Sequence, residues 1–121
     1  SDLRYARDFI DLQPRGQAQK VSHAVHRAVH LLMPRGRHTI EQVAQHIGVS
    51  TRTLQRQLAE ENANFQSLVN DVRREQALRL IEGQAHSITE VAQLIGFAET
   101  SAFSRWFSRQ FGVSPSRWKK D

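Results

Sequence analysis

One short stretch occurs twice in this chain of 121 residues. "VAQHIG" begins at Val43 and "VAQLIG" begins at Val91, which lies 48 positions further along. Between Ile40–Gly48 and Ile88–Gly96, six of nine residues are identical. An internal repeat of this kind indicates that one supersecondary unit is used twice. The sequence therefore predicts two copies of the same small structural unit.

The first copy has the pattern of a helix, a turn and a second helix. Thr39 and Gln42 have the spacing of a capping box, which predicts that a helix begins directly after Thr39. Gly48 ends this helix, because glycine adopts the positive φ of a sharp turn without a Cβ penalty. Ser50 is a favourable N-cap for a second helix over about residues 51–61.

The second copy repeats this order with one difference. Ser87 and Glu90 form the corresponding capping box, and Gly96 takes the place of Gly48. After the turn, two phenylalanines correspond to two leucines at an offset of 49: Leu54 and Leu58 match Phe103 and Phe107. The second turn, within "GFAET", thus contains one additional residue. A short helix, a glycine turn and a second helix is the order found in helix-turn-helix DNA-binding motifs.

The rest of the chain is also predicted to be helical, since no stretch shows the period-2 alternation of a strand. The further predicted segments are residues 2–12, residues 18–33, a linker helix capped by Asn64 and ended by a left-handed Gly83, and a terminal helix begun by Ser114 and Pro115. The predicted fold class is all-α with about seven helices. Two helix-turn-helix subdomains (18–63 and 84–121) are joined by a linker helix (64–83).

The composition favours a polyanionic partner. The chain has 17 Lys and Arg residues against 12 Asp and Glu, a net charge of +5. It has no cysteine and no apolar run long enough to span a bilayer, and a secretory signal is not apparent. We therefore expect a cytoplasmic protein without a cofactor or metal. No phosphate-binding glycine loop, nucleophile elbow or carboxylate pair suggests an enzyme.

The second helix of each copy has a polar face opposite its apolar residues. With Leu54 pointing inwards, the residues on the outer side are Arg52, Gln55, Arg56 and Ala59. With Phe103 inwards, the outer residues are Ser101, Ser104, Arg105 and Ser108, flanked by Thr100 and Arg109. Both faces contain arginine and lack carboxylates, which favours DNA, because Arg and Gln pair bidentately with guanine and adenine. A linker helix of about 17 residues, roughly 26 Å long, suits two helices that read neighbouring major grooves.

The sequence resembles a known family. "IGFAETSAFSRWFSRQFGVSPSRWKK" resembles the signature of the AraC/XylS family of bacterial transcriptional regulators, and "TIEQVAQHIGVSTRTLQRQLAEENANF" resembles its first helix-turn-helix. The resemblance covers about residues 38–120. It implies a seven-helix domain that binds double-stranded DNA, with base contacts by Arg52, Gln55, Arg56, Thr100, Ser101, Ser104 and Arg105. We add phosphate contacts by Ser50, Thr51 and Arg109.

The resemblance also implies partners beyond DNA. Most members of the family have a separate domain for effector sensing or dimerisation, so residues 1–17 would be a connecting tail from such a domain. Contact with RNA polymerase is compatible with DNA binding. The alternative function is a helical protein-interaction module, for example one that binds a polymerase subunit without reading a DNA sequence.

Three other groups of residues are interpreted as structural. His23, His26 and His30 share a helix face, which we interpret as an exposed histidine face rather than a metal site. Trp106 and Trp118 are interpreted as core residues. The last group, on the linker helix, is interpreted as a solvated face with an i,i+4 ion pair or a phosphate contact: Arg73, Arg74, Glu75 and Arg79.

Overall fold

The structure, a computed structural model, describes residues 20–120. These residues form seven helices and a 3₁₀ turn, with no strand among them, so the all-α prediction is confirmed for this part of the chain. The helix predicted over residues 2–12 and the tail over 1–17 lie outside the described residues. The elements are α1 (Val21–Leu32), the 3₁₀ turn (Met33–Arg35), α2 (Ile40–Ile47), α3 (Thr51–Glu60), α4 (Phe65–Gly83), α5 (Ile88–Leu94), α6 (Thr100–Phe111) and α7 (Pro115–Lys120).

Three of the four helices of the two copies begin at predicted caps, and the fourth, α6, begins after Glu99 without a side-chain capping bond. The Thr39 hydroxyl accepts a hydrogen bond from the Gln42 amide at 3.1 Å, and the Gln42 side chain accepts one from the Thr39 amide. Ser87 and Glu90 form the same capping box at the start of α5. Ser50 accepts from the Thr53 amide at 3.0 Å and so caps α3. Local side-chain chemistry therefore defines where these helices begin.

The linker helix α4 ends one residue later than the sequence predicts. Asn64 caps its start, as predicted, by accepting from the Ser67 amide at 3.0 Å. Gly83 is still helical, so its prediction as the left-handed terminal residue is wrong. Gln84 takes that conformation instead, with φ of 57°, because its amide bonds to the Ile81 carbonyl and closes the last turn. A non-glycine residue thus occupies the strained position.

Helix α4 lies between the two copies and packs against both. On one side it contacts α1, which also packs against α2 and α3; on the other it contacts α5 and α7. The core is aliphatic near α3, where Leu54 and Leu58 are buried, and aromatic near α6, where Phe103 and Phe107 are buried. The inward faces predicted for α3 and α6 are confirmed. No helix within residues 20–120 has the length and apolar character needed to cross a bilayer.

Both tryptophans belong to the core of the second copy, as predicted. Trp106 is 7% exposed, and its indole Nε1 donates a hydrogen bond to Asn70 Oδ1 of α4 at 2.9 Å. The Trp118 ring lies 5.8 Å from that of Phe107 and 5.5 Å from that of Phe111. Aromatic packing of this kind attaches α7 to α6. Ser114 begins α7 by accepting from the Arg117 amide.

The first helix has an N-cap from a distant part of the chain. Lys20, at the N-cap position of α1, makes no side-chain capping bond. The Glu61 carboxylate, which follows α3, accepts from the Val21 amide at 2.7 Å and from the Ser22 amide at 3.1 Å. A carboxylate at a helix N-terminus also interacts favourably with the helix dipole. Glu61 therefore fixes α1 to the end of α3.

Candidate nucleic-acid interface

Each copy places its second helix through the same kind of turn. Gly48 and Gly96 have φ of 98° and 92°, a conformation that favours glycine. The first helices start 48 residues apart, at Ile40 and Ile88, whereas the second helices start 49 apart. The one-residue insertion predicted in the second turn is therefore confirmed. Ala44 and Ala92 are both buried, and side chains this small permit a close crossing of the two helices of each copy.

The outer face of α3 is exposed along its length. Arg52, Gln55 and Arg56 all point to solvent, while Leu54 on the opposite side is completely buried. The structure thus places these three predicted base-reading residues on one accessible face. All three side chains are long and offer donor groups that fit the edges of base pairs in a major groove.

One carboxylate borders this face, so the prediction that it lacks carboxylates is wrong at its C-terminal end. The Arg56 Nε lies 4.0 Å from Glu60 Oε2, and both side chains are exposed. The two residues are one helical turn apart, which brings their side chains together. An exposed pair of this kind is weak, so Arg56 can exchange Glu60 for another partner.

The outer face of α6 is less uniformly open. Ser101 and Arg105 are exposed, whereas Thr100 and Ser104 are half-buried. The Thr100 hydroxyl donates to the hydroxyl of Thr89 in α5 at 3.2 Å, which connects the two helices of this copy. Arg105 is the long exposed side chain at the centre of the face, and it corresponds to Arg56 at the offset of 49.

The predicted phosphate contacts differ in how free their side chains are. The Ser50 hydroxyl accepts from the Thr53 amide and donates to the Thr53 hydroxyl, so it is already engaged as a cap. Thr51 is half-buried at the first turn of α3. Arg109 is exposed on α6, one turn beyond Arg105. Arg109 is the only charged residue of the three, and its side chain is exposed.

The arginine-rich segment of α4 is only partly the solvated face that the sequence suggested, because Glu75 and Arg79 are exposed but Arg73 and Arg74 are half-buried. Burial lowers the pKa of Arg73, whose guanidinium lies 5.0 Å from the centre of the Phe97 ring. Arg74 donates to Gln110 Oε1 of α6 at 2.8 Å. The expected ion pair of Glu75 with Arg79 is replaced by contacts with other residues. Arg73, Arg74 and Glu75 thus contact residues outside α4, whereas Arg79 donates to Gln76 within α4 itself.

Two of the three histidines of α1 contact α4. His26 Nε2 lies 3.1 Å from Glu75 Oε1, and the His30 ring lies within hydrogen-bond distance of the buried Gln76 side chain. The interpretation as an exposed histidine face is confirmed for His23 and His30, whereas His26 is only partly exposed beside Glu75. The prediction missed this because the sequence pattern did not show that α4 packs beside these residues. Residues 20–120 contain no group of three or more His, Cys, Asp or Glu placed to hold a metal ion.

The fold and the exposed arginine faces define a class of protein: a DNA-binding domain with two helix-turn-helix motifs. The family model of the helix-turn-helix domain matches residues 43–121. The chain belongs to the helix-turn-helix domain family, in its AraC-type branch. The resemblance found in the sequence is thereby confirmed.

Curated relatives are longer than this chain. The HTH-type transcriptional regulator VirS of Mycobacterium tuberculosis is 30% identical over 116 residues. That match covers 96% of this chain and 34% of VirS, so the chain spans about a third of the length of that relative.

Solved structures share the fold. The C-terminal domain of AraT, a response regulator from Geobacillus stearothermophilus, superposes with a TM-score of 0.71 at 25% identity, covering 86% of this chain and 87% of that domain. The DNA-binding domain of AdpA, a global transcriptional factor solved in complex with a target DNA, gives a TM-score of 0.64 at 30% identity, covering 84% and 91% of the two chains.

Proposed function

We propose that this chain is the sequence-specific, double-stranded DNA-binding part of a bacterial transcription regulator, with α3 and α6 lying in two neighbouring major grooves. One observation carries the proposal most directly. The second helix of each motif buries its apolar side and exposes an arginine at the corresponding position, Arg56 in α3 and Arg105 in α6. An exposed arginine on such a helix is suited to bidentate contact with a guanine.

Charge, relatives and dimensions support the same proposal. The net charge of +5 favours a polyanion. The AdpA domain, which shares this fold, was solved with a target DNA. Helix α4 has 19 residues, so at 1.5 Å per residue it is about 28 Å long. A spacer of that length is compatible with two recognition helices about one DNA turn, roughly 34 Å, apart.

Within this proposal the exposed residues have separate roles. Arg52, Gln55 and Arg56 read bases in the first groove. In the second groove Arg105 reads a base, and hydroxyls make shorter and less discriminating contacts: Thr100, Ser101 and Ser104. Phosphate contacts by Arg109, Ser50 and Thr51 position the domain on the backbone, with Arg109 the strongest contributor because its charge is accessible.

The first test removes a base-reading arginine. Arg56→Ala should weaken binding to the preferred site by about 1–3 kcal/mol and relax the sequence preference at one or two base pairs. Selection from random DNA, followed by sequencing, identifies the preferred site and its change. Arg27→Ala is the matched control, because Arg27 is exposed on α1, outside both reading helices, and its loss changes the net charge equally. An Arg56→Ala variant with unchanged base preference would exclude Arg56 from base reading.

The second test compares the two half-sites. The face of α3 has three long reading side chains and that of α6 has one, so scrambling the first half-site should cost more affinity. At fixed salt, each lost bidentate contact is worth roughly 1–3 kcal/mol. Equal losses, or a larger loss from the second half-site, would contradict this assignment. Equal binding of the wild type to all DNA sequences would instead indicate a protein-interaction module that does not read DNA sequence.

The partners of the whole protein are a further part of the proposal. VirS is about three times as long as the part matched here, so we place effector sensing and dimerisation on chain outside this domain. RNA polymerase is the expected protein partner of the DNA-bound domain. Cross-linking of the full-length protein on promoter DNA, with and without polymerase, tests this contact, and equal cross-linking at a promoter lacking the binding site would contradict it.

A further inference from the structure

The two turn glycines, although equivalent in sequence, have different surroundings. A Cβ atom added at Gly48 would meet nothing within 4 Å. A Cβ atom added at Gly96 would lie 2.9 Å from His38 Cε1 and 3.3 Å from His38 Nε2. Gly48 is therefore required for its φ alone. Gly96 is required both for its φ and for the close approach of His38.

His38 brings the first copy against the turn of the second. It lies between the 3₁₀ turn and α2, and its ring is half-buried against Gly96. Met33, from the 3₁₀ turn, is completely buried and approaches the same point, since its Cγ would be 3.8 Å from a Cβ at Gly96. The 3₁₀ turn also packs against α5. The two copies thus touch directly here as well as through α4.

Helix α4 closes this contact from a third side. The guanidinium of Arg73 lies over the ring of Phe97, the residue that follows Gly96. Burial, and then the positive charge of Arg73, lower the pKa of His38. A neutral ring therefore occupies the space between the two copies. Its position depends on packing against Gly96, and neither His38 Nδ1 nor Arg73 Nε has a hydrogen-bond partner within the described residues.

We propose that His38 is a positioning residue, which sets the placement of α6 relative to α3 and so the number of base pairs preferred between the two half-sites. This inference rests on the proposed function, in which both helices enter DNA. Only three residues separate Gly96 from the start of α6, so a displacement at the glycine moves the helix. Tightly packed contacts transmit such displacements with little loss.

The experiment measures binding to DNAs in which the spacing between half-sites varies by single base pairs, and to each half-site alone. The wild type should prefer one spacing. His38→Ala removes the ring from the contact. The ratio of the variant's affinities for the best and the next-best spacing should therefore be smaller than in the wild type by about threefold or more, a coupling typical of contacting residues. Its affinity for each single half-site should stay within about twofold of the wild type, because no reading residue changes.

A double-variant comparison tests the contact itself. Gly96→Ala and Gly48→Ala both place alanine at positive φ, but only Gly96→Ala meets His38. Adding His38→Ala to Gly96→Ala should therefore raise the affinity for the two-site DNA by about threefold or more. The effects of His38→Ala and Gly48→Ala on that affinity should be additive. If Gly96→Ala does not fold, the spacing profile of His38→Ala decides the question.

Each outcome has one meaning. An unchanged spacing preference in His38→Ala, or additivity with both glycine variants, would overturn the positioning role and leave the proposed DNA binding intact. A wild type that binds DNA with no sequence preference would overturn the proposed function, and the positioning role with it. A wild type with sequence preference but no spacing preference would overturn the positioning role alone.

Discussion

A proline in the linker helix should separate the two halves of the domain. Ala77 is completely buried in the interior of α4, four residues after Arg73. Ala77→Pro removes the helical hydrogen bond to the Arg73 carbonyl, and the ring collides with that carbonyl, which together cost about 3 kcal/mol or more. The larger side chain in a packed site adds about 1–3 kcal/mol. The total is a large share of the roughly 5–15 kcal/mol that stabilises a typical domain.

Ala77→Gly provides the graded control. It lowers helix propensity by about 1 kcal/mol without a collision, so it should reduce stability and leave two-site DNA binding nearly intact. Urea unfolding measures the free energy of unfolding, and gel shifts on the two-site DNA and on each half-site measure the coupling. For Ala77→Pro we expect the affinity advantage of the two-site DNA over a half-site to disappear. Retention of that advantage, with stability within about 1 kcal/mol of the wild type, would refute the role of α4 as a rigid spacer.

Two further changes test contacts that cross the fold. Glu61→Ala should lower the free energy of unfolding by about 1 kcal/mol, because it removes the cap of α1. Urea unfolding measures this change, and Glu60→Ala is the control. A change no larger than that of Glu60→Ala would contradict the capping role. Lowering the pH from about 7.5 to about 5.5 should lower the melting temperature more in the wild type than in His38→Gln. Burial, and then the positive charge of Arg73, lower the pKa of His38 from its usual value of about 6.5. The stabilising contribution of the neutral ring is therefore present above about pH 6.5 and is lost as the pH falls towards the folded-state pKa. Glu41 and Arg73 line the same cavity, and an identical pH dependence in both proteins would exclude His38 as the cause.

The sequence predicted the features that depend on neighbouring residues. Capping boxes, turn glycines and the inward side of each helix are encoded within a few positions, so the roles of Thr39, Ser87 and Leu54 follow from local sequence alone. The end of α4 could not be placed to one residue. Glycine favours the left-handed position, but the hydrogen bonding of the last turn placed Gln84 there.

Contacts between helices could not be predicted in the same way. His26 and Glu75 are 49 positions apart, and they meet because α1 and α4 pack side by side. Nothing in the periodicity of either helix specifies that arrangement. For the same reason the sequence showed two equivalent turn glycines, and only the structure shows that one of them has a histidine against it. The exposed reading faces were predictable, since exposure follows from helical periodicity, but their base contacts stay predictions.

The placement of the aromatic side chains gives this domain a built-in optical probe. The chain has two tryptophans, Trp106 and Trp118, and both belong to the core around α6 and α7. Tryptophan fluorescence therefore reports the unfolding of the second copy, whereas circular dichroism reports every helix. Coincident transitions by the two signals would show that both copies unfold as one cooperative unit. If circular dichroism continued to change after the fluorescence had levelled, the first copy would be the more stable one and would fold without its neighbour.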